Sequence, residues 1–307
     1  MKLLLVDGHY YAYRSFYAIA GLTNSKGEPT NAIYGFAKAL RRMLADVRPD
    51  RAAVVFDGGL PALRMELLPQ YKQNRSEMPA EMAAQLPVID RVTELLGFPR
   101  IEVEGQEADD VIASYALTAK AAGWETVIAT NDKDIMQLVD DRLTIYSPGK
   151  DGQFALIGPE GVREKWGVVP AQIADVLALT GDSSDNIPGI PGVGPKTAAA
   201  LIQQFGSVEA LLERPEQIAK DKLRAAIQAG LDQIRINRQM VSLFTTLPLP
   251  APAESFQVTP RYPELIEEFR RLEFKGLTKE IEKEAAQFAS FAQPNEGTPS
   301  PAQGELF

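Results

Sequence analysis

The sequence predicts an α/β protein: a parallel sheet first, a helical region after it. Three observations predict this. Short apolar runs alternate with amphipathic helical segments through the first 150 residues. Two of those runs end in aspartate, at Asp7 and Asp57. Beyond Gly158 the strand pattern stops, and segments that open on proline take over, as expected of helix starts.

The elements follow in order. Residues 2–7 are an apolar run, and residues 51–57 (RAAVVFD) read as a second buried strand. Residues 98–103, 125–130 and 142–146 supply three more. Between them, residues 30–46 place Ile33, Phe36, Ala37, Leu40 and Leu44 on one helical face, and residues 81–96 and 107–122 are helical too. Apolar strands separated by helices argue for parallel pairing with right-handed crossovers. In the second half, residues 159–166, 170–179, 195–205, 208–213 and 220–230 read as helices. The division is an α/β core over 1–158, a helical region over 159–288 and a tail over 289–307. Residues 293–303 (QPNEGTPSPAQ) are too poor in apolar side chains to fold.

Composition excludes several chemistries. There is no cysteine and one histidine, His9, so disulfides, thiolate metal sites and histidine-based triads are out. No run approaches the length of a membrane span, and the N-terminus does not read as a signal peptide, so a cytoplasmic protein is expected. A net charge of −9 looks wrong for a nucleic-acid binder. The objection weakens because nine carboxylates are gathered in short stretches, where divalent cations would offset them.

Those stretches carry the chemistry. Parallel strands deliver Asp7, Asp57, Asp132 and Asp134 to one edge of a sheet, where ligands bind in open α/β folds. Glu107, Asp109 and Asp110 open a helix beside that edge, and Asp182 and Asp185 follow an apolar helix. Each acid alone is ordinary cap or turn chemistry. Together they repel one another and resist ionising. An all-oxygen ligand set suits Mg²⁺, with Mn²⁺ as substitute, and so many ligands suggest two ions about 4 Å apart.

Two further features bear on phosphate. Residues 58–86 form a segment rich in basic residues and proline, with Arg64, Tyr71, Lys72 and Arg75, which reads as a basic arch over the acids. Tyr71 is a candidate for stacking on a base. Residues 189–199 (GIPGVGPKTAA) place glycines before a helix that opens at Pro195, a phosphate site made of amides and helix dipole. It is not a P-loop, because its spacing differs and no strand precedes it.

The motifs LLLVDG, VVFDG, YKQNR, EGQEADD, TNDKD and GDSSDNIPGIPGVGPKTA, in this order, resemble the bacterial 5′–3′ exonuclease family of the flap endonuclease superfamily. The resemblance covers about residues 1–285. It implies a PIN-like, Rossmann-related sheet with a basic arch, followed by a helix–three-turn–helix at about 186–206 that grips duplex DNA and often binds K⁺. It implies that Asp7, Asp57, Glu107 and Asp109 hold one metal, that Asp132, Asp134, Asp182 and Asp185 surround the second, and that Asp110 stands outside the ligand shell. Lys72 and Arg75 would steer the scissile phosphate, with Arg14 and Arg64 also meeting phosphate. Lys196 and the amides of Val193 and Gly194 would hold the duplex backbone, with Gly192 and Thr197 beside them. The implied reaction is in-line attack of water on phosphorus, on branched, nicked or 5′-flap DNA and RNA–DNA primer junctions, in replication and repair. A PIN-type ribonuclease, a non-catalytic branched-DNA scaffold and the front part of a polymerase are the alternatives.

The last residues add a separate signal. Gln303, Leu306 and Phe307 fit a Q-x-x-L-F pattern, which resembles the short peptide by which bacterial replication proteins bind the sliding clamp.

Overall fold

The structure is a computed structural model that describes residues 1–148 and 153–292. Leu3, Leu4, Leu5 and Val6 are fully buried. They are so because β1 (Lys2–Asp7) lies inside the sheet, paired in parallel with β2 (Arg51–Phe56) on one side and β4 (Glu125–Ala129) on the other. β3 (Arg100–Glu102) extends the sheet beyond β2, and β5 (Leu143–Pro148) and β6 (Phe154–Ile157) extend it beyond β4. The chain thus builds outward from β1 in one direction, then returns to the other side of β1. The switch point lies between β1 and β4.

Both faces of the sheet are covered, as continuous apolar strands require. Leu3, Leu5, Ala53 and Val55 pack with Val111, Ile112 and Tyr115 of α6 (Ala108–Ala121). Leu4, Val6, Ala52 and Val54 point the other way. There they meet Ile33, Phe36 and Leu40 of α2 (Asn31–Val47) and Ile89 and Val92 of α5 (Leu86–Leu95). The period-two alternation of side chains sorts the strands between these two cores.

The structure departs from the expected elements in three places. α1 (Gly8–Ala18) begins directly after β1; its aromatic, mixed sequence hides the apolar stripe that marks α2. The expected helix over 81–96 is divided into α4 (Ala80–Ala83) and α5, which restarts with Pro87 in its first turn, where a missing N–H costs nothing. β6 runs antiparallel to β5. Its link to β5 is far shorter than the dozen residues a parallel crossover needs.

After the sheet, α7 (Pro159–Trp166), α8 (Ile173–Thr180), α9 (Pro195–Phe205), α10 (Val208–Glu213), α11 (Asp221–Ala229) and α12 (Leu231–Met240) form the helical part. α8 is buried over almost its whole length. The short α3 (Ala62–Leu67) follows β2. The last helices, α13 (Tyr262–Arg271) and α14 (Lys275–Ala292), turn back to the sheet and bury Leu265, Phe269 and Ile281 against the α2–α5 face. No helix among the described residues is long and apolar enough to cross a membrane. Gln303, Leu306 and Phe307 lie outside the described residues.

Candidate active site and nucleic-acid anchor

The carboxyl ends of β1, β2 and β4 open on a cavity of about 680 Å³ at the switch point. Asp7, Asp57, Asp109 and Asp132 line it, facing Lys72 and Arg75. Asp7 closes β1 and caps α1: its carboxylate accepts the Tyr10 N–H at 2.9 Å and the Thr130 hydroxyl at 2.9 Å. Asp57 accepts the Ala108 N–H at 2.8 Å, which ties the end of β2 to the start of α6. Asp132 sits one turn beyond β4 and accepts the Asp134 N–H at 2.7 Å.

A second acid group adjoins the first. Carboxylate oxygens of Asp134, Asp182 and Asp185 lie within 4.8 Å of one another. Asp134 opens a 3-10 turn after β4, while Asp182 and Asp185 lie in the loop after α8. That loop folds tightly on itself: Gly181 has φ +67°, and a Cβ on Gly189 would stand 2.0 Å from the Thr180 carbonyl oxygen. Only glycine fits either position.

Burial and crowding stress these acids. Burial, with the charges of Asp57 and Asp132, pushes the Asp7 carboxyl up to about 7. Burial and neighbouring aspartates also push Asp109 and Asp134 well above the usual carboxylate range, and Asp132 upward. Asp57 is the exception: desolvation acts against it, but the His9 hydrogen bond and the Ala108 amide hold it below that range. Asp109 Oδ1 and Asp134 Oδ1 are buried without a hydrogen-bond partner among the described residues. Unpaired oxygen ligands in a crowded acidic group fit a divalent cation of the Mg²⁺ or Mn²⁺ kind.

Under the cavity lies a cationic foundation, and here several expectations are corrected. Arg64, expected to meet phosphate, is only 4% exposed. Its guanidinium donates to Asp110 at 2.6 and 2.9 Å, to Glu107, and to the carbonyls of Met240 and Ser242 at 3.1 and 3.0 Å. No donor is left for DNA. Asp110, expected near the metals, is fully buried and engaged by Arg64 and by the Phe244 N–H at 2.8 Å. Tyr71, expected to stack on a base, is also buried; its hydroxyl reaches Glu107 at 3.0 Å and Asp185 at 3.1 Å. Glu107 is 3% exposed and holds Arg64, Tyr71 and Lys72, so it lies beneath the cavity rather than on its wall. Burial lowers the affinity of Lys72 for its proton, and Glu107 and Asp185 more than restore it. Arg75 pairs with Asp185 at 2.7 Å.

The loop before α9 is the expected phosphate anchor. Gly192, Gly194 and Lys196 are exposed, and Thr197 is half-buried. The first-turn amides of α9 have no carbonyl within the helix to bond. The Val193 amide is not among the free donors: it bonds the Ile190 carbonyl at 3.0 Å, and the Val193 side chain is buried. Arg14 sits exposed on α1, bonded to the Tyr10 hydroxyl at 3.3 Å, outside the cavity wall.

Sequence reasoning missed four contributors. His9, Tyr10 and Tyr13 line the cavity, and Lys133 pairs with Asp182 at 2.7 Å. A signal existed for the first three. An aspartate ending a strand and capping a helix puts the next helical turns at the same sheet edge. His9 Nδ1 stands 3.1 Å from the Asp57 carboxylate, to which it donates when protonated, and its ring meets Phe56 edge-on.

Residues 2–167 match the family described as the 5′–3′ exonuclease N-terminal, resolvase-like domain, and residues 168–264 match the 5′–3′ exonuclease C-terminal SAM fold. The 5′–3′ exonuclease of Aquifex aeolicus (strain VF5) is 38% identical over 92% of this chain and 95% of its own length. DNA polymerase I of Rhizobium leguminosarum is 40% identical over 95% of this chain; the match spans 29% of the polymerase. A structure of bacteriophage T5 flap endonuclease in a complex with DNA and metal ions has the same fold, with a TM-score of 0.67 at 20% identity, covering 92% of this chain and 98% of that one.

Proposed function

Since the chain belongs to the 5′–3′ exonuclease family, we propose that it is a structure-specific 5′ nuclease that hydrolyses phosphodiester bonds in 5′-flap, branched or nicked DNA. RNA–DNA primer junctions are substrates of the same kind, met in the cytoplasm during replication and repair. The observation that carries the reading is the meeting of Asp7, Asp57, Asp109 and Asp132 with Lys72 and Arg75 in one cavity, beside the Asp134–Asp182–Asp185 group.

Two divalent ions fit these residues, Mg²⁺ by preference and Mn²⁺ in its place. The expected ligand sets are regrouped by position: Asp132, expected at the second ion, would join Asp7, Asp57 and Asp109 around one, with Glu107 withdrawn beneath it, and Asp134, Asp182 and Asp185 would hold the other. When bound, such ions polarise the phosphate and lower the pKa of the attacking water. The chain's own groups do the rest. Lys72 and Arg75 donate to the scissile phosphate and stabilise its growing charge. His9 holds Asp57 in place, and Arg64 and Tyr71 fix Glu107 beneath the site. Gly192, Gly194, Lys196 and Thr197 grip the duplex backbone, with K⁺ as a candidate ion there; such contacts position the enzyme without reading bases. The peptide Gln303, Leu306 and Phe307 is proposed to bind a sliding clamp at about micromolar affinity.

The test is cleavage of an end-labelled 5′-flap duplex with Mg²⁺ and with EDTA. Cleavage confined to the Mg²⁺ arm is expected; no cleavage with Mg²⁺ overturns the reading. For the tail, equal clamp binding by the intact chain and by one lacking Leu306 and Phe307 would remove it from the proposal.

A further inference from the structure

The segment that carries Lys72 and Arg75 is fastened to the loop that carries Asp182 and Asp185, and the fastening is of two kinds. One kind is ionic: Arg75 to Asp185 at 2.7 Å and Lys72 to Asp185 at 3.7 Å. The other is neutral. The Asn74 side-chain amide donates to the Ser183 carbonyl at 2.7 Å, and the Asn186 side-chain amide donates back to the Gln70 carbonyl at 2.7 Å. Between them the Lys72 N–H donates to the Asp185 carbonyl at 3.0 Å. Lys72 and Asn186 both stand in the left-handed region, at φ 56° and 58°. Asparagine tolerates that region, whereas a lysine stays there only where surrounding contacts hold it.

The two kinds respond differently to a bound substrate. On the nuclease reading above, a cation takes the Asp185 carboxylate and a phosphate takes Lys72 and Arg75. The ionic links are then exchanged, while the amide–carbonyl links have no part in that exchange. We propose that Asn74 and Asn186 form a reciprocal neutral brace that keeps Lys72 and Arg75 aligned with the Asp134–Asp182–Asp185 group once metal and phosphate have replaced the ion pairs. They are positioning residues: neither lines the cavity. Asn74 is exposed and Asn186 half-buried, so their removal leaves the core intact.

The experiment compares the parent chain with Asn74→Ala, Asn186→Gly and Asn186→Asp. Glycine accepts φ 58° freely, so Asn186→Gly deletes the donor without adding strain. Asn186→Asp keeps the shape and the turn preference but cannot donate. Single-turnover cleavage of a 5′-flap duplex with Mg²⁺ is measured beside flap affinity in Ca²⁺ and the melting temperature. Each variant is expected to lose about tenfold in rate, the scale of one net hydrogen bond, with affinity unchanged and the melting temperature lowered by no more than a few degrees. Asn186→Asp is expected to fall with Asn186→Gly, whereas a residue needed only for its turn would be rescued by either. Parent-like rates in all three variants overturn the brace, as does a loss confined to affinity or melting temperature. A parent chain that does not cleave overturns the nuclease reading instead, so the two failures are distinguishable.

Discussion

The acidic cavity and the loop before α9 both suit phosphate, and they are built in opposite ways. The cavity is made of side chains delivered by three strand ends and the start of α6, crowded and partly desolvated, facing Lys72 and Arg75 and resting on the Arg64–Glu107 pair. The anchor is made of glycines, backbone amides and one exposed lysine. The first stores electrostatic stress that a cation relieves; the second stores none. On the proposed function, the difference makes chemistry and grip separable.

The largest effect is expected at Arg64. Arg64→Ala leaves Asp110 buried without its cation and Glu107 with only Lys72 and Tyr71, and should lower unfolding free energy by about 3–5 kcal/mol. Urea denaturation measures it; a loss below about 1 kcal/mol, the scale of a surface ion pair, would mean that the foundation is not one.

Next come the acids. Asp109→Ala and Asp182→Ala should each lower turnover by at least about 10²-fold. Flap affinity in Ca²⁺ should survive both, because the grip lies elsewhere. Steady-state cleavage and a binding titration read the two quantities separately, and parent-like turnover in either variant breaks the assignment.

A smaller pair of effects sets the regions side by side. Lys72→Ala should reduce the single-turnover rate, whereas Lys196→Ala should weaken duplex binding and lower the salt slope by about one. The same pattern from both variants would show that the regions are not separate in function.

A separate effect concerns the chain without metal. Asp7 titrates at about 7 in the folded chain against an ordinary 3.8, and Asp109 and Asp134 are raised as well. The folded chain therefore keeps protons that the unfolded chain has released. The stability this contributes is complete below about pH 4 and is lost as pH rises through about 7. In EDTA the melting temperature should decline over that window, and Asp109→Asn or Asp134→Asn should flatten the decline. A melting temperature that rises with pH would contradict the account.

What the sequence made legible follows the same division. Asp7, Asp57 and Asp132 could be read because each follows an apolar run, and parallel strands gather their ends whatever the details of packing. The loop at 189–199 could be read because glycine and proline declare backbone geometry directly. Arg64 and Tyr71 were misjudged because a charge or hydroxyl in a polar stretch looks exposed. The 240–242 segment covers Arg64, and Tyr71 is drawn inward by Glu107 and Asp185, contacts that no local pattern announces. The Val193 amide fails for a related reason: whether a turn amide is free depends on a carbonyl three residues back.

Asp7 carries one more consequence, for anyone who would alter it. The carboxylate that faces the cavity also starts a helix, so an alanine there removes two things at once. Losing the cap alone costs about 1 kcal/mol, and it would loosen the turn that holds His9 and Tyr10. Asparagine caps as well as aspartate but carries no charge, so Asp7→Asn leaves the helix start in place while removing the charge and the acceptor for the Thr130 hydroxyl. At this position the smaller substitution is the blunter instrument.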